Sequence, residues 1–412
     1  MTKREFDFIV FGTGYTGSLL AHHFVQEDLD FKWNIAGRNK LKCKSIAQEL
    51  KELSNNRLDF KPVIADVTKP ETIEEMCKKT RLIINCVGPF SKYGEVVVKT
   101  CIENKTHYLD INGEPQFINK MFVKYHEKAQ ENKVIIGLSA GFDSVPADVG
   151  VQLLKREMGE GSILKIGGFF RIKNLKMSNG TYKTLINSFN PSPQERKETR
   201  EIRELSKKQN VPQVEYLDTK IKEKPKGYTT RVAGWSKNKE GLGGFAMKFS
   251  SSDPFIVKKT QILQDATKKI PSFRYEHYLM LMGWFEIITN FLKFFLISML
   301  AKWGWGRKVL SWFESDLGGP NEKQRKGSYF NANFVGTNEE GKKFKYCLSG
   351  PDPYTSTAIF IKHTLSSVLL EYDDLEIKSG VITPGCLGKV YFNRILDDDL
   401  ITWKNLEQKK IK

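Results

Sequence analysis

Gly12-x-Gly14-x-x-Gly17 follows the apolar run Phe6-Asp-Phe-Ile-Val-Phe11 and precedes a helical stretch, Ser18 to Gln26. Glycines at this spacing, between a strand and a helix, let the main chain approach a pyrophosphate. The helix N-terminus adds N–H donors and a favourable dipole. The pattern alone is weak, and its strand–turn–helix setting gives it weight. The candidate contacts are the whole turn, Gly12, Thr13, Gly14, Tyr15, Thr16 and Gly17. The bland alternative is a tight turn of the same shape that has lost its ligand.

A second apolar run, Phe31 to Ala36, ends in Gly37-Arg38-Asn39. An NAD site carries Asp or Glu at this strand end, to accept the ribose 2′-OH; an arginine instead pairs with a 2′-phosphate. Arg38, with Asn39 beside it, therefore points to NADP(H). A solvated loop arginine among Lys40, Lys42 and Lys44 is the alternative. Asp66, after a third strand, is placed to contact the adenine, or else to cap or turn the chain. Val87-Gly88-Pro89, after a fourth strand, would let the nicotinamide side approach.

Chemistry beyond cofactor binding is harder to read. Tyr108 and Asp110, just past a strand end, and Asp143, in the turn Gly141–Asp148, are weak candidates for a proton donor. Asp143 is equally a natural N-cap for a helix starting near Ser144. No Tyr-x-x-x-Lys dyad is present at Tyr93 or Tyr125, which are followed by Val97 and Ala129. No nucleophile–base pair or metal cluster assembles from spacing, so no metal is expected.

The elements that must position these residues alternate between strand and helix. Strands are expected at Phe60–Ala65, Arg81–Val87, Tyr108–Ile111 and Val134–Ser139, with helices at Glu71–Lys79, Gly94–Asn104 and Gln116–Asn132. Such alternation makes a parallel sheet covered on both faces, with ligands beyond the strands' carboxyl ends. After residue 150 the pattern becomes α+β. A helix Ser144–Met158 and a strand Ile163–Lys173 lead into a charged stretch, 193–227, read as a solvated helix and a mobile connection. A hairpin, Gly327–Val335 with Lys343–Ser349, and a helix Tyr354–Glu371 follow.

Residues 278–300 form a long apolar segment, read as one helix with a single polar stripe of Glu286, Thr289, Asn290 and Lys293. Charged residues at the centre of a spanning helix cost about 2.5–3.5 kcal/mol each. The flank Lys302-Trp303-Gly-Trp305-Gly-Arg307-Lys308 supplies groups that settle at headgroup level. An in-plane helix on a membrane satisfies both features; a dimer-interface helix and a true span are the alternatives.

The chain has 412 residues, enough for two domains. Lys and Arg number 65 against 48 Asp and Glu, a net charge of +17 that favours an anionic partner. The basic residues are scattered, without a zinc-finger or RNP-like motif, so nucleic acid is not the expected partner. Six cysteines lack metal spacing and read as reduced thiols. Residues 1–12 pass through Lys3 and Arg4 straight into the first strand, so no cleavable presequence is expected.

Five blocks carry a family resemblance: Val10-Phe-Gly with Tyr15-Thr-Gly17; Ala36-Gly-Arg-Asn39; Asn85-Cys-Val-Gly-Pro-Phe90 with Tyr93-Gly94; His107-Tyr-Leu-Asp110 with Gly113-Glu-Pro-Gln-Phe117; and Gly141-Phe-Asp-Ser-Val-Pro-Ala-Asp148. Fainter echoes lie at Gly180-Thr-Tyr182, Ser251-Ser-Asp-Pro254, Gly350-Pro-Asp-Pro353 and Gly380-Val-Ile-Thr-Pro384. With these the chain resembles the saccharopine dehydrogenase-like oxidoreductases, in the branch holding trans-acting enoyl reductases and the animal saccharopine dehydrogenase-like protein. Relatives usually carry a turn one residue longer than Gly12–Gly17.

The resemblance implies an α/β fold: an N-terminal Rossmann-like doubly wound parallel sheet (1–150), a second α+β domain (151–375) with a hydrophobic membrane-associating helix, and a C-terminal segment (376–412) returning to the first domain. It implies hydride transfer from NADPH, as in some members, and the expected activity is reduction of a hydrophobic or lipid-linked substrate at a membrane surface. The alternative is a catalytically silent NADPH-binding subunit of a membrane-associated assembly. It further implies association with an intracellular membrane or lipid droplet, in agreement with the 278–308 segment. A mitochondrial membrane is the alternative location, and the residues leave the quaternary state open to a homodimer or a subunit of a larger assembly.

Overall fold

The computed structural model describes residues 4–159, 163–189, 191–208, 236–237, 242–249, 251–268, 272–303, 305–306, 308–310 and 318–407. The chain divides into two compact units, Met1–Asp143 with Tyr354–Ile395, and Ser144–Pro353 with Leu396–Lys412.

In the first unit, strands β1 (Phe6–Phe11), β2 (Trp33–Gly37), β3 (Val63–Ile64), β4 (Thr80–Asn85), β5 (His107–Asp110) and β6 (Ile135–Gly137) alternate with helices α1 (Tyr15–Gln26), α2 (Lys40–Leu53), α3 (Pro70–Lys79), α4 (Phe90–Glu103) and α5 (Pro115–Glu131). Every strand pair is parallel, and the spatial order is 3-2-1-4-5-6. That is the standard dinucleotide-binding order, with its switch point between β1 and β4. The strands read as continuous apolar runs because both faces are covered: all five β2 residues are buried, as are five of the six in β1. Phe8 anchors the core, its ring against those of Phe24, Phe31 and Trp33.

The chain returns to this unit late. A seventh strand, β13 (Gly380–Ile382), pairs in parallel with β6, Gly380 opposite Ile135. The helix Pro353–Leu370 is buried along nearly its whole length. The division differs from the sequence-based boundaries at this end. That helix goes with the first unit rather than the second, and residues after 395 go with the second. Its all-round burial leaves no polar face to mark where it belongs.

The second unit is built on a mixed sheet in the order β14-β12-β11-β7-β10-β9-β8. Its strands are β7 (Ile163–Lys173), β8 (Ser236–Lys237), β9 (Phe245–Lys248), β10 (Arg274–Leu281), β11 (Tyr329–Asn338), β12 (Lys343–Pro351) and β14 (Thr402–Asn405). The hairpin β11–β12 is in register from Tyr329↔Pro351 to Thr337↔Lys343. Helices in this unit are α6 (Val145–Met158), α7 (Asn179–Phe189), α8 (Pro193–Lys208), α9 (Asp253–Lys268), α10 (Trp284–Ala301) and α11 (Glu322–Lys326); the returning Pro353–Leu370 helix is α12, and α13 (Lys389–Leu396) follows. Helix α6 lies so close on β11 that a Cβ at Gly150 would fall 2.2 Å from the Phe334 ring. Its buried Asp148 and Gln152 meet Thr260 and Gln264 of α9 at 2.6 and 3.0 Å.

Two sequence expectations change here. The segment 278–300 is not one helix: Tyr278–Leu281 close the strand β10, and α10 starts at Trp284. Tyr278 and Met280 are buried in a cluster with Phe169, Ala246 and Val335, and Leu281 is buried too, so tertiary packing claims the first four residues for the sheet. The third strand is two residues, not Phe60–Ala65. The expected mobile connection after 208, with Pro212 and Pro225, and Arg307 of the basic flank lie outside the described residues.

Candidate functional site

The β1–α1 turn has three glycines with three different environments. Gly12 has φ +125°, and a Cβ there would lie 3.1 Å from the Cys86 carbonyl carbon and 3.2 Å from Val87 Cγ2. A Cβ at Gly17 would fall 2.0 Å from the Gly12 carbonyl oxygen, so helix and strand pack at glycine distance. Gly14 is exposed, and a Cβ on it would meet nothing within 4 Å. It is also the N-cap of α1, with no side-chain cap and no acidic residue in the first turn. The first N–H groups of a helix have no intrahelical partner. Glycines force the shape at 12 and 17, and at 14 the main chain faces open space. This cradle fits a pyrophosphate.

The residues around it are sorted by what holds them. Thr13 packs under β2, its Cγ2 lying 2.9 Å from where a Gly37 Cβ would be, and Tyr15 sets its ring edge-on to Tyr354 at 5.1 Å. Thr16 is half-buried in the first turn of α1. Arg38 is exposed at the end of β2, and Asn39 caps α2, its Oδ1 accepting from the Lys42 N–H at 3.0 Å. Asp66 Oδ1 accepts from the Thr68 N–H and hydroxyl, both at 2.9 Å. These bonds, with help from the Arg38 charge, hold its carboxyl below the usual range.

The β4–α4 loop lies against the first turn, where Gly12 meets Cys86 and Val87. Gly88 is exposed, and a Cβ there would touch only the Phe90 ring, at 3.7 Å. Gly88–Pro89 is a cis peptide. Strand order thus brings the turns after β1, β2 and β4 to one edge of the sheet, as the sequence motifs require.

The three proton-donor candidates separate. Tyr108 and Asp110 are fully buried. Asp110 Oδ1 accepts from the Ser139 N–H at 2.7 Å and from the Asn112 side chain and N–H, while Oδ2 takes the Tyr108 hydroxyl at 2.9 Å. Burial pushes the Asp110 carboxyl up to about 6 against these donors. Burial pushes the Tyr108 phenol up too, with the neighbouring carboxylate adding to it. Asp143 is exposed and lies against Gly113, 3.1 Å from where a Cβ would be. It is not the N-cap: Ser144 takes that position, before α6. Among the described residues no group of three His, Cys, Asp or Glu side chains is placed to hold a metal ion.

Helix α10 is the other outstanding feature. Trp284, Phe285, Ile288, Phe291, Leu292 and Phe295 are each more than half exposed, as are Trp303 and Trp305 beyond it. Glu286, by contrast, is half-buried, 3.6 Å from the Arg171 guanidinium, and accepts the Met282 N–H at 2.8 Å. Thr289 and Asn290 donate to main-chain carbonyls of Phe285 and Glu286. Of the expected polar stripe, Glu286 reaches Arg171 on β7, Thr289 and Asn290 are half-buried and bond back to their own helix, and Lys293 is exposed. The apolar face points out. The helix is long and apolar enough to cross a membrane, with a mean hydropathy of 1.5.

Comparison with known proteins agrees with this geometry. A family model described as the saccharopine dehydrogenase NADP binding domain matches residues 8–136. A Rattus norvegicus protein named saccharopine dehydrogenase-like oxidoreductase is 32% identical, covering 93% of each chain. The Caenorhabditis elegans lipid droplet localized protein is 26% identical over 92% of this chain and 93% of its own. The trans-acting enoyl reductase of Mycobacterium ulcerans is 25% identical, covering 93% of each. Among solved structures, apo saccharopine dehydrogenase (L-Glu forming) from Saccharomyces cerevisiae shares the fold. Its TM-score is 0.55 at 10% identity, over 97% of this chain and 100% of that one. The chain therefore belongs to the saccharopine dehydrogenase-like oxidoreductase family and carries its NADP-binding domain.

Proposed function

We propose that the protein is an NADPH-dependent reductase that acts on a hydrophobic or lipid-linked substrate at a lipid surface. The observation that carries this reading is the outward apolar face of α10 on a member of an NADP-dependent oxidoreductase family. NADPH supplies the hydride. The Gly12–Gly17 turn and α1 hold the pyrophosphate, with Thr13, Tyr15 and Thr16 shaping the cradle. Arg38 pairs with the 2′-phosphate, while Asn39 and Asp66 fix the loops on either side of it and Asp66 borders the adenine. Val87, Gly88 and Pro89 border the nicotinamide. Because Gly88 has room on the protein side, a side chain there would stand in that space.

On a lipid surface α10 lies in plane, with the Trp303 and Trp305 rings and Lys302 and Lys308 at headgroup level. The nematode relative, named as a lipid droplet localized protein, favours a lipid-droplet monolayer over a mitochondrial membrane. A second reading has one observation behind it: Tyr108 and Asp110 are sealed from solvent, which suits an NADPH-binding subunit without chemistry of its own. NADPH oxidation with a panel of enoyl and carbonyl lipids in vesicles separates the two. The reductase reading expects turnover with at least one class, and the silent reading expects none.

Cofactor choice is tested at Arg38. A hydrogen bond to a charged group contributes about 1.5–3 kcal/mol. Arg38→Ala is expected to weaken NADPH about ten- to hundredfold in fluorescence titration and to leave NADH nearly unchanged. Equal loss for both would remove the assignment of Arg38 to the 2′-phosphate.

A further inference from the structure

Asp110 is the centre of a longer hydrogen-bond path that begins on the β4–α4 loop and ends on the first residues of α4. Val87 N–H donates to Asn85 Oδ1 at 2.9 Å, and Asn85 Nδ2 to the Tyr108 hydroxyl at 3.1 Å. Tyr108 donates to Asp110, which takes the Asn112 amide, and Asn112 Oδ1 accepts the Glu114 N–H at 3.2 Å. Glu114 closes the path: its two carboxylate oxygens accept the Phe90 and Ser91 N–H groups at 2.9 and 2.8 Å. Glu114 is the N-cap residue of α5, yet it makes no side-chain cap there. Its carboxylate instead covers the head of α4, whose own N-cap, Pro89, offers no side-chain hydrogen bond.

We propose that Glu114 is a positioning residue for the nicotinamide end of the dinucleotide. By pinning Phe90 and Ser91 it fixes the residues that follow Val87-Gly88-Pro89, while Asn85 fixes the residue that begins them. The turn is held from both sides by groups that do not belong to it. The carboxylate suits the task, because one charged group can take two adjacent helix N–H donors and complement the helix dipole there. Gly113, just before it, allows the close pass of Asp143. The proposal rests on the reading that Val87–Pro89 border the nicotinamide.

The test separates the two ends of the cofactor. NADPH and adenosine 2′,5′-bisphosphate, which lacks the nicotinamide half, are titrated against the full chain and against Glu114→Ala and Glu114→Gln, below each variant's melting temperature. Glu114→Ala is expected to weaken NADPH at least tenfold and to leave the bisphosphate within about twofold. Glu114→Gln, which keeps one acceptor, should fall between, and it carries the test if the alanine variant does not fold. Equal weakening of both ligands would overturn the proposal, since it would mean a general loss of structure. Unchanged NADPH affinity would overturn it too. A parent chain that binds the bisphosphate and not NADPH would overturn the nicotinamide reading itself, and binding of neither would overturn the whole cofactor site.

Discussion

A Gly14→Val variant is expected to fold as the parent does and to lose NADPH binding, while Gly17→Ala is expected to lower the melting temperature. The two glycines are three residues apart in one motif, and the structure gives them opposite surroundings. A valine at 14 enters open space, so nothing in the unit must shift. The same side chain occupies the volume through which a pyrophosphate would reach the α1 N–H groups, and a loss of at least a hundredfold in affinity is expected. At 17 even a methyl group would sit 2.0 Å from the Gly12 carbonyl oxygen. Separating α1 from β1 to relieve that contact disturbs the core beneath it, at a cost of about 1–3 kcal/mol or more for an overpacked site. Thermal melts and NADPH titration of both variants check this. Loss of NADPH binding only together with the fold at position 14 would show a packing glycine there.

The second large effect concerns the lipid surface. Phe285, Phe291 and Trp303 are exposed by 80, 60 and 59% and pack little against the second unit. Burying such a side chain in an apolar phase contributes about 1.5–3 kcal/mol. Replacing all three with serine is expected to reduce vesicle binding at least a hundredfold in a flotation assay while leaving the melting temperature and NADPH affinity as they were. Protection of one flank of the helix from protease in sealed vesicles would show that α10 crosses the bilayer. Failure of the parent chain to bind bare vesicles would show that a protein partner covers the face.

What the sequence makes legible is local. The fingerprint turn is bounded by its own glycines, and Ile163–Lys173 is a run that strand pairing matched residue for residue. The hairpin is signalled by the polar break between its strands. The place of Arg38 at the end of β2 is readable because strand order is nearly fixed once alternation is recognised. The rest depends on contacts far apart in the chain. The boundary between β10 and α10 is hidden, because Tyr278–Leu281 and the helix form one apolar stretch and only sheet pairing divides them. The direction of the polar stripe is hidden too, since helical spacing shows a stripe without showing which side it faces. Glu114 offers no signal at all: it caps a helix that begins 24 residues before it.

Transfer of a labelled hydride to a lipid distinguishes a reductase from a silent NADPH-binding protein. NADPH deuterated at C4, each face in turn, is supplied with vesicles carrying the enoyl and carbonyl lipid panel, and the lipids are analysed by mass spectrometry. Deuterium is expected in one reduced lipid class, from one face only, and less of it with the Phe285, Phe291 and Trp303 variant. NADPH that binds tightly and passes no label to any lipid would contradict it, leaving a cofactor-binding protein without the reaction.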